Sequence, residues 1–177
     1  METTCKYPFT WSLLGDLSIG RPNLGPQTRL EVYRLMQFTL RDVIERGYGS
    51  SEADRIFRDA GKLAGAEFFA HVACPQPNLN AFISRLQQIF EEMGIGILRV
   101  EKSDPEKGHF VLTVSEDLDC SGLPESDFEI CKYDEGFISG LLESFTGKAF
   151  NVKEIDCWCT GERTCRFEVV AAEQGGA

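Results

Sequence analysis

The sequence predicts an α+β domain, with helices packed on an antiparallel β-sheet. Apolar residues recur at helical spacing through the first half, and two later pairs of alternating segments are each joined by a turn rich in Gly or Pro. The resulting order of three helices, a hairpin, a helix and a hairpin lacks the strand–helix alternation of a doubly wound parallel sheet. A chain of 177 residues, 42% hydrophobic and 26% charged, suits one ordinary domain whose core needs no disulfide framework.

Residues 1–26 are rich in Gly and Pro yet carry Phe9, Trp11, Leu13 and Leu14, so they read as an arm that packs on the domain. Thr28 with Glu31 forms a capping-box pattern for a first helix. Leu30, Tyr33, Gln37, Leu40 and Ile44 trace its stripe, widened by Met36 and Val43, until Gly47 and Gly49. That width suits either a homodimer contact or full burial within one chain. Ser51 with Asp54 opens a second helix through Ile56, Phe57, Ala60, Leu63 and Phe68. Gly61, Ala64, Gly65 and Ala66 make one side of it small enough for a tight helix crossing or a closely approaching ligand.

Asn78 or Asn80 caps a third helix, whose apolar face runs from Leu79 through Phe82, Ile83, Leu86, Ile89 and Phe90 to Met93. Residues 95–101 and 109–115 form a hairpin about Pro105 and Gly108. Asp134 caps a fourth helix through Phe137, Leu141, Leu142 and Phe145, which ends at Gly147, and residues 150–159 and 163–170 form a second hairpin. With no internal repeat and no long linker, residues 27–172 read as a single domain, and 173–177 as a frayed tail.

Eighteen basic against 28 acidic side chains give a net charge of −10 and no basic footprint for direct contact with nucleic acid or an anionic membrane. Seven cysteines, an odd number, without a signal-like or membrane-spanning apolar run, point to the reducing cytoplasm. Five of them fall in the C-terminal third. Cys131, Glu154, Cys157 and Cys165 have the donor chemistry of a zinc site, with Cys157 and Cys165 flanking a turn and Cys131 starting a helix. Along a straight strand Cys157 and Cys159 share a face, so spacing alone leaves a four-cysteine site without Glu154 open. Cys5, Cys74 and Cys120 read as packing or surface thiols.

Arg163 and Arg166 stand near enough in sequence to offset the charge of such a site, or to be solvated hairpin residues. His71 suits a helix C-terminus and His109 a strand edge. Gly-rich nucleotide loops, a nucleophile elbow and a haem-attachment motif are all missing, so no catalytic residue is assigned.

The run from Cys131 through Gly136, Phe137 and Gly140, then Glu154-Ile-Asp-Cys157 and Gly161 to Cys165-Arg-Phe167, resembles the 4-vinyl-reductase domain family. That family includes predicted hydrocarbon-binding proteins and the sensor domains of aromatic-responsive bacterial activators, and its fold is related to small TRAPP subunits and the NO-signalling/Golgi-transport ligand-binding type. The resemblance implies a structural zinc within 131–167, held by Cys131, Glu154, Cys157 and Cys165, with Cys159 a neighbour. It also implies a pocket between helices and sheet for a small hydrophobic or aromatic molecule. Candidate liners are Phe82, Leu86, Phe90, Phe110, Leu112, Tyr133, Phe137 and Trp158.

The function so implied is a binding or sensor module that reports its ligand to a signalling partner. The alternatives are a reductase of a tetrapyrrole vinyl group, disfavoured by the missing cofactor motif, and a dimeric scaffold.

Overall fold

The computed structural model describes residues 5–172. The predicted frayed tail lies outside the described residues. A short 3-10 turn and the one-turn α1 (Leu17–Gly20) precede α2 (Leu30–Tyr48), α3 (Ser50–Phe68) and α4 (Leu79–Glu92). The hairpin β1 (Ile97–Asp104) and β2 (His109–Ser115) follows, then α5 (Lys132–Thr146), β3 (Phe150–Asp156) and β4 (Cys165–Ala171). All strand pairs are antiparallel, in the order β1-β2-β4-β3.

Period-2 alternation decides which side chains face inward. The ladders set Leu98 opposite Val114, Leu112 opposite Phe167, Val152 opposite Val169 and Val114 opposite Cys165. Most of these are buried on the face that meets α4 and α5. Glu154, opposite Phe167, falls on the same face and is fully buried.

Behind this layer α3 crosses α5 at very close range, as the small side of α3 predicts. A Cβ built on Gly61 or Gly65 would stand 2.0 Å from the Tyr133 carbonyl oxygen or 2.2 Å from that of Phe137. Gly136 and Gly140 are matched in turn by the carbonyls of Arg58 and Lys62, at 2.0 and 2.2 Å. Two glycines on each helix therefore let the backbones touch.

The helix ends follow local sequence only in part. Asn78 accepts from Ala81 N–H at 3.0 Å as the N-cap of α4. Asn78→Ala is expected to cost about 1 kcal/mol in a denaturant titration. Gly147, at φ 71°, ends α5 in the left-handed region. Three expected caps are replaced. Arg29, not Thr28, stands at the N-cap of α2, and its guanidinium engages Glu31. Gly49 precedes α3, where Asp54 pairs with Arg41 instead of capping. Cys131 occupies the N-cap of α5, with Asp134 inside the first turn. In each case a cross-element or ionic partner outcompetes the local cap.

The arm is held chiefly by Trp11, which stacks on His71 at 4.9 Å, meets Phe68 edge-on and donates its backbone N–H to Glu67. Leu13, Leu14, Ile19 and Leu24 remain exposed. α2 also buries no residue fully, and Val32, Leu35, Met36 and Val43 lie open on its outer side. No helix among the described residues is long and apolar enough to cross a membrane.

Candidate functional site

Four elements converge on a buried cluster of thiols. Cys120 sits in the loop after β2, where Asp117 Oδ1 accepts from the N–H groups of Asp119 and Cys120 at 2.8 and 3.1 Å. Leu118 N–H reaches the Ile95 carbonyl at 2.9 Å and ties that loop to the entry of β1. Cys131 stands at the N-terminus of α5, whose dipole favours negative charge there. Cys157 follows β3, and Cys165 starts β4 after a turn in which Gly161 takes φ 99°.

The sulfurs of Cys120, Cys131, Cys157 and Cys165 all lie within 4.8 Å of one another. Cys131 Sγ is 3.9 Å from Cys157 Sγ and 3.7 Å from Cys165 Sγ, and Cys120 Sγ is 3.0 Å from Cys165 Sγ. Four thiolates about a tetrahedral zinc, each at ~2.3 Å, stand about 3.8 Å apart. Buried soft donors at this separation could hold a metal ion. Neighbouring thiols Cys120 and Cys131 donate to Cys157 and hold its pKa far below the usual thiol range. The Cys131 thiol is pushed far up by sharing its proton with Cys120 and Cys157. A partly ionised thiol cluster is the electrostatic signature of a cation site.

Cys120, read from the sequence as a packing or surface thiol, is therefore a member of the cluster, while Cys5 and Cys74 are exposed. Its one sequence signal was its place with four other cysteines in the C-terminal third. Cys159 is buried but outside the four-sulfur group. Glu154 stands behind the group and not within it: Oε2 accepts from Cys131 N–H at 2.9 Å, and the buried Oε1 has no partner. Burial, then the adjacent Cys157, pushes its carboxyl up to about 9.

Neither arginine serves the cluster. Arg166 lies on the outer sheet face, one residue out of phase with Cys165, and pairs with Glu101 and Asp156. Arg163 lies over the Trp158 ring at 5.8 Å. His109 is taken by Glu168 at 3.0 Å.

Between α4, the inner sheet face and α5 runs a wholly apolar cavity of about 30 Å³. Phe82, Leu86, Phe90, Phe110 and Leu112 line it as expected from the sequence, joined by Leu98, Ile138 and Leu141. The other three candidate liners lie elsewhere. Phe137 points from α5 toward α3 and meets Phe68 edge-on at 5.3 Å. Trp158 donates Nε1–H to the Leu123 carbonyl, outside the cavity. Tyr133 faces a separate space between α2 and α3, because residues 133 and 137 share the side of α5 that meets the helices.

Residues 110–171, which contain most of the inner sheet and all four clustered cysteines, match the 4-vinyl-reductase domain model. Three uncharacterized proteins of Methanocaldococcus jannaschii are similar in sequence. MJ1642 is 29% identical over 84 residues, 48% of this chain and 50% of its own length. MJ0150 is 27% identical over 116 residues, 66% of this chain and 64% of its own. MJ0745 is 35% identical over 88 residues, 49% and 45%. The chain thus spans about half to two thirds of the length of the curated relatives it matches.

Among solved structures, the phenol-responsive sensory domain of the transcription activator PoxR, determined with phenol, superposes with TM-score 0.66 at 14% identity, covering 84% of this chain and 77% of its own. A vinyl-4-reductase family protein from Methanocaldococcus jannaschii gives TM-score 0.59 at 18% identity, covering 88% and 91%. A trafficking protein particle complex subunit 3 from Naegleria fowleri, covalently bound to palmitic acid, gives 0.62 at 13% identity, covering 81% and 95%. At these identities the likeness is one of fold. This chain accordingly carries a 4-vinyl-reductase domain, its matched segment running from residue 110 to 171 within an α+β fold of the same type as these sensory and trafficking domains.

Proposed function

We propose that the protein binds a small hydrophobic molecule between α4, the sheet and α5, and that a structural zinc ion holds the far end of that fold together. The observation that carries the reading is the cavity itself, closed by side chains from three elements with no polar side chain among its liners. Apolar walls of this kind favour a hydrocarbon or an unsubstituted ring over a polar phenol. Its volume of about 30 Å³ is small. Entry therefore requires Leu86 and Phe110 to change rotamer, which couples occupancy to the spacing of α4 and the sheet. A coupling of that sort suits a sensor that passes its state to another protein, and the PoxR sensory domain, with phenol bound, has this fold.

Zinc is proposed on the donor set. Cys131, Cys157 and Cys165 supply three thiolates, and the position of its sulfur makes Cys120 the fourth ligand. Glu154, next to the cluster, orients Cys131 by accepting its backbone N–H. Four protein ligands leave no position for a substrate, so the ion's role is to bind the loop after β2, α5 and the β3–β4 turn into one unit. Seven free thiols suit a reducing cytoplasm. The open stripe of Val32, Leu35, Met36 and Val43 on α2 supports a homodimer.

Toluene is a suitable probe. At ten times its Kd it is expected to stabilise the fold by about 1.4 kcal/mol, raising the melting temperature by ~4 °C. Leu86→Trp, which fills the cavity, should abolish that rise, and native mass spectrometry of the same samples reads the number of chains and any co-purified hydrophobic molecule. A toluene shift that survives Leu86→Trp would place the ligand elsewhere.

A further inference from the structure

The space beneath α2 has a different character. A cavity of about 200 Å³ lies between α2 and α3, walled by Leu40, Ile44, Ile56, Phe57 and Ala60 and rimmed by the exposed Met36. Its polar groups, Tyr33, Gln37 and Tyr133, gather toward the N-terminal half of α2. Engineered apolar cavities of ~150 Å³ accept benzene, so a single ring or short chain fits this volume.

The polar end has an excess of acceptors. Gln37 Oε1 is buried without a hydrogen-bond partner. The Tyr33 hydroxyl donates to Asp119 Oδ1 at 2.7 Å, while Asp119, 3% exposed, keeps Oδ2 unpartnered. Asp117 and Asp134 stand close behind, with ligand oxygens within 4.8 Å of one another, and Asp134 Oδ2 is also unpartnered. The nearest basic group, Arg34, spends its hydrogen bonds on the backbone carbonyls of Leu118, Asp117 and Ser121. Arg41, further along α2, is engaged by Asp54 and Glu45. Buried acceptors with no donor are costly unless something supplies one.

We propose that this cavity binds a small organic cation, a primary amine with an apolar body. Its body lies against Leu40, Ile44, Ile56 and Phe57, and its ammonium meets Gln37 Oε1 with the Asp119 carboxylate behind. Three donors and a positive charge on a compact head answer what the polar end lacks, whereas an anion is repelled and a neutral alcohol brings one donor and no charge. The site is independent of the apolar cavity on the sheet, from which α3 and α5 separate it.

Calorimetric titration of the full chain with 2-phenylethylamine and its neutral counterpart 2-phenylethanol tests the assignment. The amine should saturate one site per chain, with the alcohol at least tenfold weaker. Asp119→Asn and Gln37→Leu should each weaken the amine by about tenfold or more. Ala60→Leu, which fills the apolar wall away from the carboxylates, should abolish binding while circular dichroism and metal content stay unchanged. The proposal is overturned by absence of saturable amine binding, by equal affinity for the alcohol, or by binding that survives Ala60→Leu.

Discussion

Gly136→Ala is expected to destabilise the protein by about 3 kcal/mol or more, a fall of ~10 °C in melting temperature. The new Cβ would stand 2.0 Å from the Arg58 carbonyl oxygen, and that oxygen belongs to backbone held in α3, so no side chain can yield. Relief requires the two helices to separate by more than an ångström. That would loosen the ring contact between Phe68 and Phe137 and lift the start of α5, where Cys131 sits. Gly61→Ala meets the Tyr133 carbonyl at the same distance and should behave alike. Gly47→Ala provides the contrast: it lies in α2 with nothing within 4 Å of its Cβ position, so it should be neutral or stabilise by up to about 1 kcal/mol. Thermal melts of the three variants check the set, and equal behaviour of Gly136→Ala and Gly47→Ala would show that the crossing is not as close as described.

Removal of the metal is the second large effect. Plasma mass spectrometry of the purified protein should find one zinc per chain. A strong chelator, or Cys131→Ser, should remove it and cost several kcal/mol, because ligand binding by a folded site adds directly to folding free energy. Cys74→Ser, at an exposed thiol, should change neither metal content nor stability. Hydrogen exchange should rise at the loop of Cys120, the first turn of α5 and the turn between β3 and β4, and remain slow in α4 and β1. The fourth ligand is decided by two further variants. Cys120→Ser should lose or weaken zinc, whereas Glu154→Gln should retain it with a lowered affinity of about 10- to 100-fold, the usual effect of losing a group that orients a ligand. The reverse pattern would move the fourth ligand from Cys120 to Glu154.

The two effects are linked through α5. Its glycines at 136 and 140 face α3, its first residue follows the metal-binding Cys131, and its Ile138 and Leu141 line the apolar cavity. One helix thus transmits between the cluster, the crossing and the cavity. A ligand that repacks Leu86 and Phe110 would reach the cysteine cluster through this helix and through β4, where Phe167 lies two residues beyond Cys165.

Much of this was legible in the chain. The long stripes of α2, α3 and α4 and the hairpin β1–β2 come from periodicity, which local sequence carries in full. Breakers such as Gly108 and Gly147 marked the turn and the end of α5 because few other residues take φ of 62° and 71° without strain. Five of eight cavity liners followed from the inward faces of α4 and β2, again a local property.

What the sequence could not decide are facts of distance between separate elements. Cys120 joins Cys165 because the loop after β2 folds back across the end of β4, and no spacing along the chain encodes that return. Tyr133 and Phe137 left the predicted pocket because the rotation of α5 is set by its glycines against α3, not by its own hydrophobic stripe. The caps at Thr28, Ser51 and Asp134 gave way because Arg29, Arg41 and the cysteine cluster offered stronger partners from outside the first turn. Sequence by itself determined the elements, their order and three of the clustered cysteines. Only the tertiary structure decided the fourth sulfur, the second cavity and its unpaired acceptors, because those depend on which surfaces the close helix crossing and the sheet register bring face to face.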